Sequence, residues 1–171
     1  ITYGDWSSDV CSSDLASLIA LFMMSSTDGV PKFTKLGITH VIYEFEDSSV
    51  PPPHHRSYQI SLSAEKLHIV VDSYGDIIAD KEFPATQEQL DGVLELLEKS
   101  KIKSGKKKES KGCTGGTGER IRCKNADAIV FSGYVYHCGG ADYGDMSGET
   151  ANIKSFVIGL VPDFEKLLDR N

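Results

Sequence analysis

The sequence predicts an α+β domain: an antiparallel meander sheet with one long amphipathic helix and C-terminal helices packed on one side. Three observations carry this prediction. Between residues 37 and 83 apolar side chains recur at every second position, the period of a strand. At Thr86 that pattern gives way to a helix-start signal and a stripe of leucine and valine at helical spacing. Two more alternating runs and a second helical stripe follow, and strands, helix, strands, helix is the order of an antiparallel sheet with its helices gathered on one face.

The chain opens on a segment that does not read as fold. Asp5 to Leu15, DWSSDVCSSDL, match the in-frame translation of a short-read sequencing adapter, so residues 1–15 read as a fusion scar. Trp6, the single Trp, and Cys11 fall within it. Without Asp5, Asp9 and Asp14 the acidic count drops from 25 to 22 against 18 basic residues, and the formal net charge moves from −7 to −4. A mildly acidic balance argues against a nucleic-acid partner, because dedicated nucleic-acid binders carry a clearly basic surface. Ala16–Met24 is a short apolar run followed by Ser25 and Ser26, which fits a truncated signal-peptide remnant over residues 16–26. A membrane span needs roughly 20 apolar residues, so no membrane association beyond the export signal is expected. The alternative is a buried first element of the domain. Residues 27–171 suffice for a single domain with its own core.

In residues 37–47, GITHVIYEFED, Val41, Tyr43 and Phe45 share one face and His40 and Glu44 the other, which predicts a half-buried strand. Pro51-Pro52-Pro53 then breaks the ladder, since proline has no amide to donate. Tyr58, Ile60 and Leu62 alternate, Ala64-Glu65 turn, and Leu67, Ile69 and Val71 alternate again before Ser73-Tyr74-Gly75-Asp76. Residues 77–83 form the next strand. Thr86-Gln87-Glu88-Gln89 has the form of a capping box, with Leu90, Val93, Leu94 and Leu97 behind it as the buried stripe. The lysine-rich stretch at 100–112 reads as a solvated loop. Residues 120–124 and 128–136 predict a hairpin turning at Asn125-Ala126-Asp127, and 139–148 a glycine- and aspartate-rich loop. Ile153, Phe156, Val157 and Leu160 predict a helix, and Pro162 opens a short last one ending near Leu168.

Outside the scar the cysteines are Cys113, Cys123 and Cys138. One disulfide and one free thiol is the simplest arithmetic for an exported chain. Cys113 and Cys138 stand in glycine-rich settings, GCTGG and HCGG, where two backbones can approach closely, so they form the favoured pair. Spacing alone does not determine the pairing. Cys123 alternates with Ile121 in a strand and reads as a small buried hydrophobe.

Other motifs are weak. Gly112–Gly118, GCTGGTG, lacks the G-K-[ST] ending of a phosphate cradle and leads into a strand where a helix should start. His54 and His55, being adjacent, point to opposite sides of an extended chain and chelate poorly. His137, Cys138 and Cys123 offer no metal-ligand spacing with them. No metal, cofactor or catalytic residue is therefore assigned. The run Asp47–Tyr58, with VDSYGD at 71–76, GCTGGT and CGG, resembles a family of small uncharacterised bacterial exported proteins. That resemblance implies export, to the periplasm or the outside of the cell, and brings no activity with it.

The reading that follows is a non-enzymatic binding domain for another macromolecule, a protein in the favoured version. Pro51, Pro52, Pro53, His54, His55 and Arg56 form the candidate binding loop, a stiff arm that loses little entropy when held. The strand and helix order is loosely similar to emfourin-like metalloprotease inhibitors, an architectural analogy without matching motifs. One alternative is a small hydrolase or thiol-dependent enzyme using His137, Cys138, Ser147 and Asp142 or Asp145. Another is a periplasmic binder of a small ligand in an apolar pocket between sheet and helix.

Overall fold

The computed structural model describes residues 29–110 and 112–169. The scar and the leader remnant lie outside those residues, as do Lys111, Arg170 and Asn171. After a single 3-10 turn at Phe33–Lys35 come four strands, β1 (His40–Glu46), β2 (Ser57–Ser63), β3 (Lys66–Ser73) and β4 (Asp76–Pro84). Helix α1 (Gln87–Lys99) leads to β5 (Lys103–Lys108), β6 (Thr117–Asn125), β7 (Ala128–Cys138) and β8 (Ala141–Ser147). The chain closes with α2 (Thr150–Gly159) and α3 (Phe164–Leu168).

All eight strands join one antiparallel sheet in the order β4-β3-β2-β1-β6-β7-β8-β5. This overturns the expected α+β class. The protein is dominated by its sheet and lies nearer the all-β class, with α1 only 13 residues long and α2 and α3 10 and 5. Two stretches expected to be loops are strands. β5 lies within the lysine-rich segment at 100–112, and β8 within the glycine- and aspartate-rich stretch at 139–148. Neither shows hydrophobic alternation, because β5 is an edge strand with all six residues exposed and β8 is its neighbour.

Alternation elsewhere puts one row of each strand under the helices. Val41 and Tyr43 of β1 join Tyr58, Ile60 and Leu62 of β2, Leu67, Ile69 and Val71 of β3, and Ile121 and Cys123 of β6 in one core. Burying an aliphatic side chain of this size contributes about 1.5–3 kcal/mol. Helix α1 closes the core with Leu90, Val93, Leu94 and Leu97, and lies against β1, β2, α2 and the Phe33 turn. Its start is fixed by a complete capping box: Gln89 N donates to Thr86 Oγ1 and Thr86 N to Gln89 Oε1, worth about 1 kcal/mol. Glu98, near its end, accepts from Thr34 N (3.0 Å) and Thr34 Oγ1 (2.8 Å). Partial burial raises that carboxyl, but the two Thr34 bonds and the Lys32 charge outweigh it and hold it below the usual range.

The opposite face of the sheet is polar. Arg120 and Arg122 of β6 both meet Glu44 of β1. The Arg120 guanidinium also lies over the Tyr134 ring at 4.7 Å, and Tyr134 Oη donates to Glu46 (2.8 Å).

Candidate functional site

The sheet topology gathers distant loops at one end. The β1–β2 connection, the β3–β4 turn, the approach to β6 and the β7–β8 turn all emerge there. Those loops carry each element that sets the sequence apart: the proline arm, VDSYGD, GCTGGT and CGG.

The arm is held from within. Pro51 O accepts from His54 N (2.9 Å) and His55 N (3.2 Å), closing a tight turn. Ser73 Oγ donates to Pro52 O (2.7 Å) and Tyr74 Oη to Val50 O (2.6 Å), so the β3–β4 turn grips the arm by its carbonyls. At its exit Arg56 N donates to Asp47 Oδ2 (2.8 Å), and the Arg56 guanidinium donates to His55 O and Leu168 O. Each such bond adds about 1 kcal/mol net. His55 is buried, its ring stacked on Tyr74 with centroids 3.8 Å apart and its Nε2 sharing a hydrogen bond with Ser57 Oγ (3.3 Å). Pro51, Pro52, Pro53 and His54 remain exposed. The candidate loop therefore divides in two: residues 51–54 form its outer surface, while His55 and Arg56 anchor it.

Cys113 and Cys138 form a disulfide, with Cα atoms 6.1 Å apart. The glycines beside it make the approach possible. A Cβ on Gly116 would fall 2.2 Å from His137 O, so only glycine lets this loop lie against β7. Gly139 (φ +62) and Gly140 (φ +75) form the two-residue β7–β8 turn, with both residues in the left-handed region that a tight hairpin favours. Cys123 is free and buried, and burial pushes its thiol up to about 12. In the folded protein the Cys123 peptide is expected to resist iodoacetamide at pH 8 and to be labelled only on unfolding; labelling of the native protein within minutes contradicts this.

The β7–β8 turn also sets His137 between two carboxylates. Its Nδ1 lies 2.7 Å from Asp142 Oδ1 and its Nε2 3.4 Å from Glu119 Oε1. Glu119 is buried, its Oε2 without a hydrogen-bond partner among the described residues. Nearby, burial and then the Glu119 charge raise the phenols of Tyr43 and Tyr58 well above the usual range. Neither phenol oxygen completes a hydrogen bond among the described residues. The sequence reading groups His137 with Asp142 but misses Glu119 and the two buried tyrosines. The signal that sets His137 against Asp142 is Gly139-Gly140 between two aromatic-bearing runs, which marks a hairpin.

Among the described residues His137 has carboxylates, and no thiol or hydroxyl, at hydrogen-bond distance. Both nitrogens of His137 face carboxylates, and Cys138 has no thiol. Ser147 stands five residues beyond Asp142 on the same strand, about 17 Å away at the usual rise. In the oxidised protein Cys138 is therefore not a free thiol, and Ser147 does not lie beside His137.

Two depressions border His137. A recess of about 530 Å³ lies between Ser48, Gly115–Thr117 and the β7–β8 turn. A cleft of about 400 Å³ runs along β8 and β5 to the start of α2, with Val135 and Met146 among its walls. Among the described residues no group of His, Cys, Asp and Glu has the geometry to hold a metal ion, and no helix is long and apolar enough to cross a membrane. The disulfide fits an oxidising compartment. Compared with known proteins, the chain matches no family model, no curated protein and no solved structure.

Proposed function

We propose that this is an exported binding domain without catalysis of its own, which engages a protein partner through the loop end of its sheet, the Pro51–Arg56 arm foremost. One observation carries the reading: the arm's carbonyls are bonded inward while Pro51–His54 face out. A surface fixed before binding avoids the ordering cost, about 0.5–1.5 kcal/mol for each side chain immobilised. Loops on a rigid scaffold are the usual place for such contacts. The resemblance to small exported bacterial proteins and the disulfide support the compartment.

A fixed, exposed proline arm suits a protease inhibitor, which presents a rigid loop to an active-site cleft. The test is titration of the full chain against a panel of secreted metallo- and serine proteases, beside a variant with Pro51–Pro53 replaced by Ser-Gly-Ser. Saturable inhibition, weakened roughly tenfold or more in the variant at near-equal thermal stability, supports the reading. Inhibition of no protease overturns the inhibitor version, and undiminished inhibition by the variant removes the arm as the contact.

A further inference from the structure

We propose that the two outer strands of the sheet are complementary halves of one interface, through which copies of this chain associate head to tail, β4 of one against β5 of the next. The contact needs only these two edges and does not depend on the partner proposed for the arm.

The first argument is geometric. β4 pairs only with β3 and β5 only with β8, so each presents a row of unpaired backbone N–H and C=O groups along its outer side, a template for another strand. Every pairing in the sheet is antiparallel and the strands number eight, so β4 and β5 run in opposite directions. A second copy set beside the first in the same orientation therefore brings its β5 antiparallel to β4. The ladder continues across the join, and the helices of both copies stay on one face.

The second argument is complementary charge. β5 carries Lys103, Lys106, Lys107 and Lys108 and no acid, whereas β4 carries Asp76, Asp80 and Glu82 against Lys81. Charge on an edge strand discourages pairing between like edges, and both edges here obey that rule. Setting β5 against β5 opposes lysines to lysines, and the central registers of β4 against β4 oppose carboxylates to carboxylates. Only the unlike edges attract. With Lys103 opposite Glu82, Ser104 falls opposite Lys81 and Gly105 opposite Asp80, so no like charges meet over β5. These charges are accessible: all six residues of β5 are exposed. The side chains of Asp80 and Glu82 are each 55% exposed, although His68 Nε2 holds Asp80 Oδ1 (2.7 Å) and Lys66 Nζ holds Glu82 Oε1 (2.8 Å). The acids nearest β5, Asp142 and Asp145, lie one strand inward and are bonded to His137 and the Tyr134 amide. Exposed ion pairs contribute little each, so the backbone ladder supplies the affinity and the charges choose the partner edge. A head-to-tail contact of this kind extends into a ring or a filament, since each copy keeps one edge open.

The experiment is sedimentation velocity of the full chain from micromolar to millimolar concentration, at low and at high chloride. The wild type is expected to gain mass in steps of one chain, reversibly on dilution, with association weakened roughly tenfold or more at high chloride. Lys103→Glu/Lys106→Glu/Lys107→Glu makes both edges acidic, and Asp80→Lys/Glu82→Lys makes both basic. Each variant alone should stay monomeric, with a circular dichroism spectrum like that of the wild type. An equimolar mixture of the two should associate again, because each offers the edge that the other lacks. Carbodiimide coupling of isotopically light and heavy wild-type chains should join β5 lysines of one to Asp80 or Glu82 of the other. A wild type that stays monomeric over the whole range overturns the proposal. So do undiminished association in either variant, folded variants whose mixture stays monomeric, and interchain crosslinks confined to residues outside β4 and β5.

Discussion

The Cys113→Ala/Cys138→Ala variant is expected to melt roughly 10 °C below the oxidised protein. The bridge joins residues 25 apart, and closing a loop of that length removes unfolded-state entropy worth about 3 kcal/mol. In a domain of this size each kcal/mol moves the midpoint by several degrees. Thermal unfolding followed by circular dichroism, with and without reductant, checks this. Reductant should bring the wild type to the variant's midpoint and leave the variant unmoved. A difference of only a degree or two would mean that the glycine contacts hold these loops without the crosslink. The consequence reaches the candidate site, because Cys138 and Ser48 border the same recess.

Ile121→Ala is expected to cost about 4 kcal/mol, toward the upper end for removing a buried aliphatic side chain. The residue is fully buried at the centre of the sheet, opposite Tyr43 on β1 and Gly133 on β7. The size of such a loss depends on whether neighbours can collapse into the space. Gly133 has no side chain with which to fill it, and the Tyr43 ring is itself packed near Tyr58 with centroids 6.3 Å apart. Urea unfolding should show a lower midpoint at an unchanged slope. Ile129→Ala, at a residue 55% exposed on the same hairpin, serves as the control and should change stability by about 0.5 kcal/mol or less. Equal effects at the two positions would contradict this account of the core.

What the sequence revealed and what it hid follow from burial. β2 and β3 were legible because each has one buried face, so Tyr58, Ile60, Leu62 and Leu67, Ile69, Val71 alternate cleanly. The α1 capping box was legible because it is local chemistry, complete within Thr86–Gln89. The favoured Cys113–Cys138 pair forms, between two glycine-rich loops that close approach requires. β5 was not legible, since a strand paired only on its β8 side and exposed throughout has no reason to alternate. β8 hid behind Gly144 and its aspartates. Asp145 spends an oxygen on the Tyr134 amide, and Gly144 is demanded by backbone, as a Cβ there would fall 2.2 Å from Tyr134 O. Missing these two strands turned a sheet-dominated protein into an expected α+β domain. The grip of Ser73 and Tyr74 on the arm, between residues more than 20 apart, was beyond any periodicity argument.

The strand order has a kinetic consequence. Within the group β1 to β4 each strand pairs with its sequence neighbour, and so it does within β6 to β8, so each group can zip up hairpin by hairpin. The seam between them is β1 against β6, where Val41 meets Cys123 and Tyr43 meets Ile121. β5 must then reach past β6 and β7 to dock on β8. Neither step is rewarded until a long loop has closed, so the barrier to folding is entropic and centred on the seam, with rates on the millisecond-to-second scale of non-local β topologies. Until the seam closes, the flanks of β1 and β6 stand unpaired, and that interval is when the newly made chain is most exposed to aggregation.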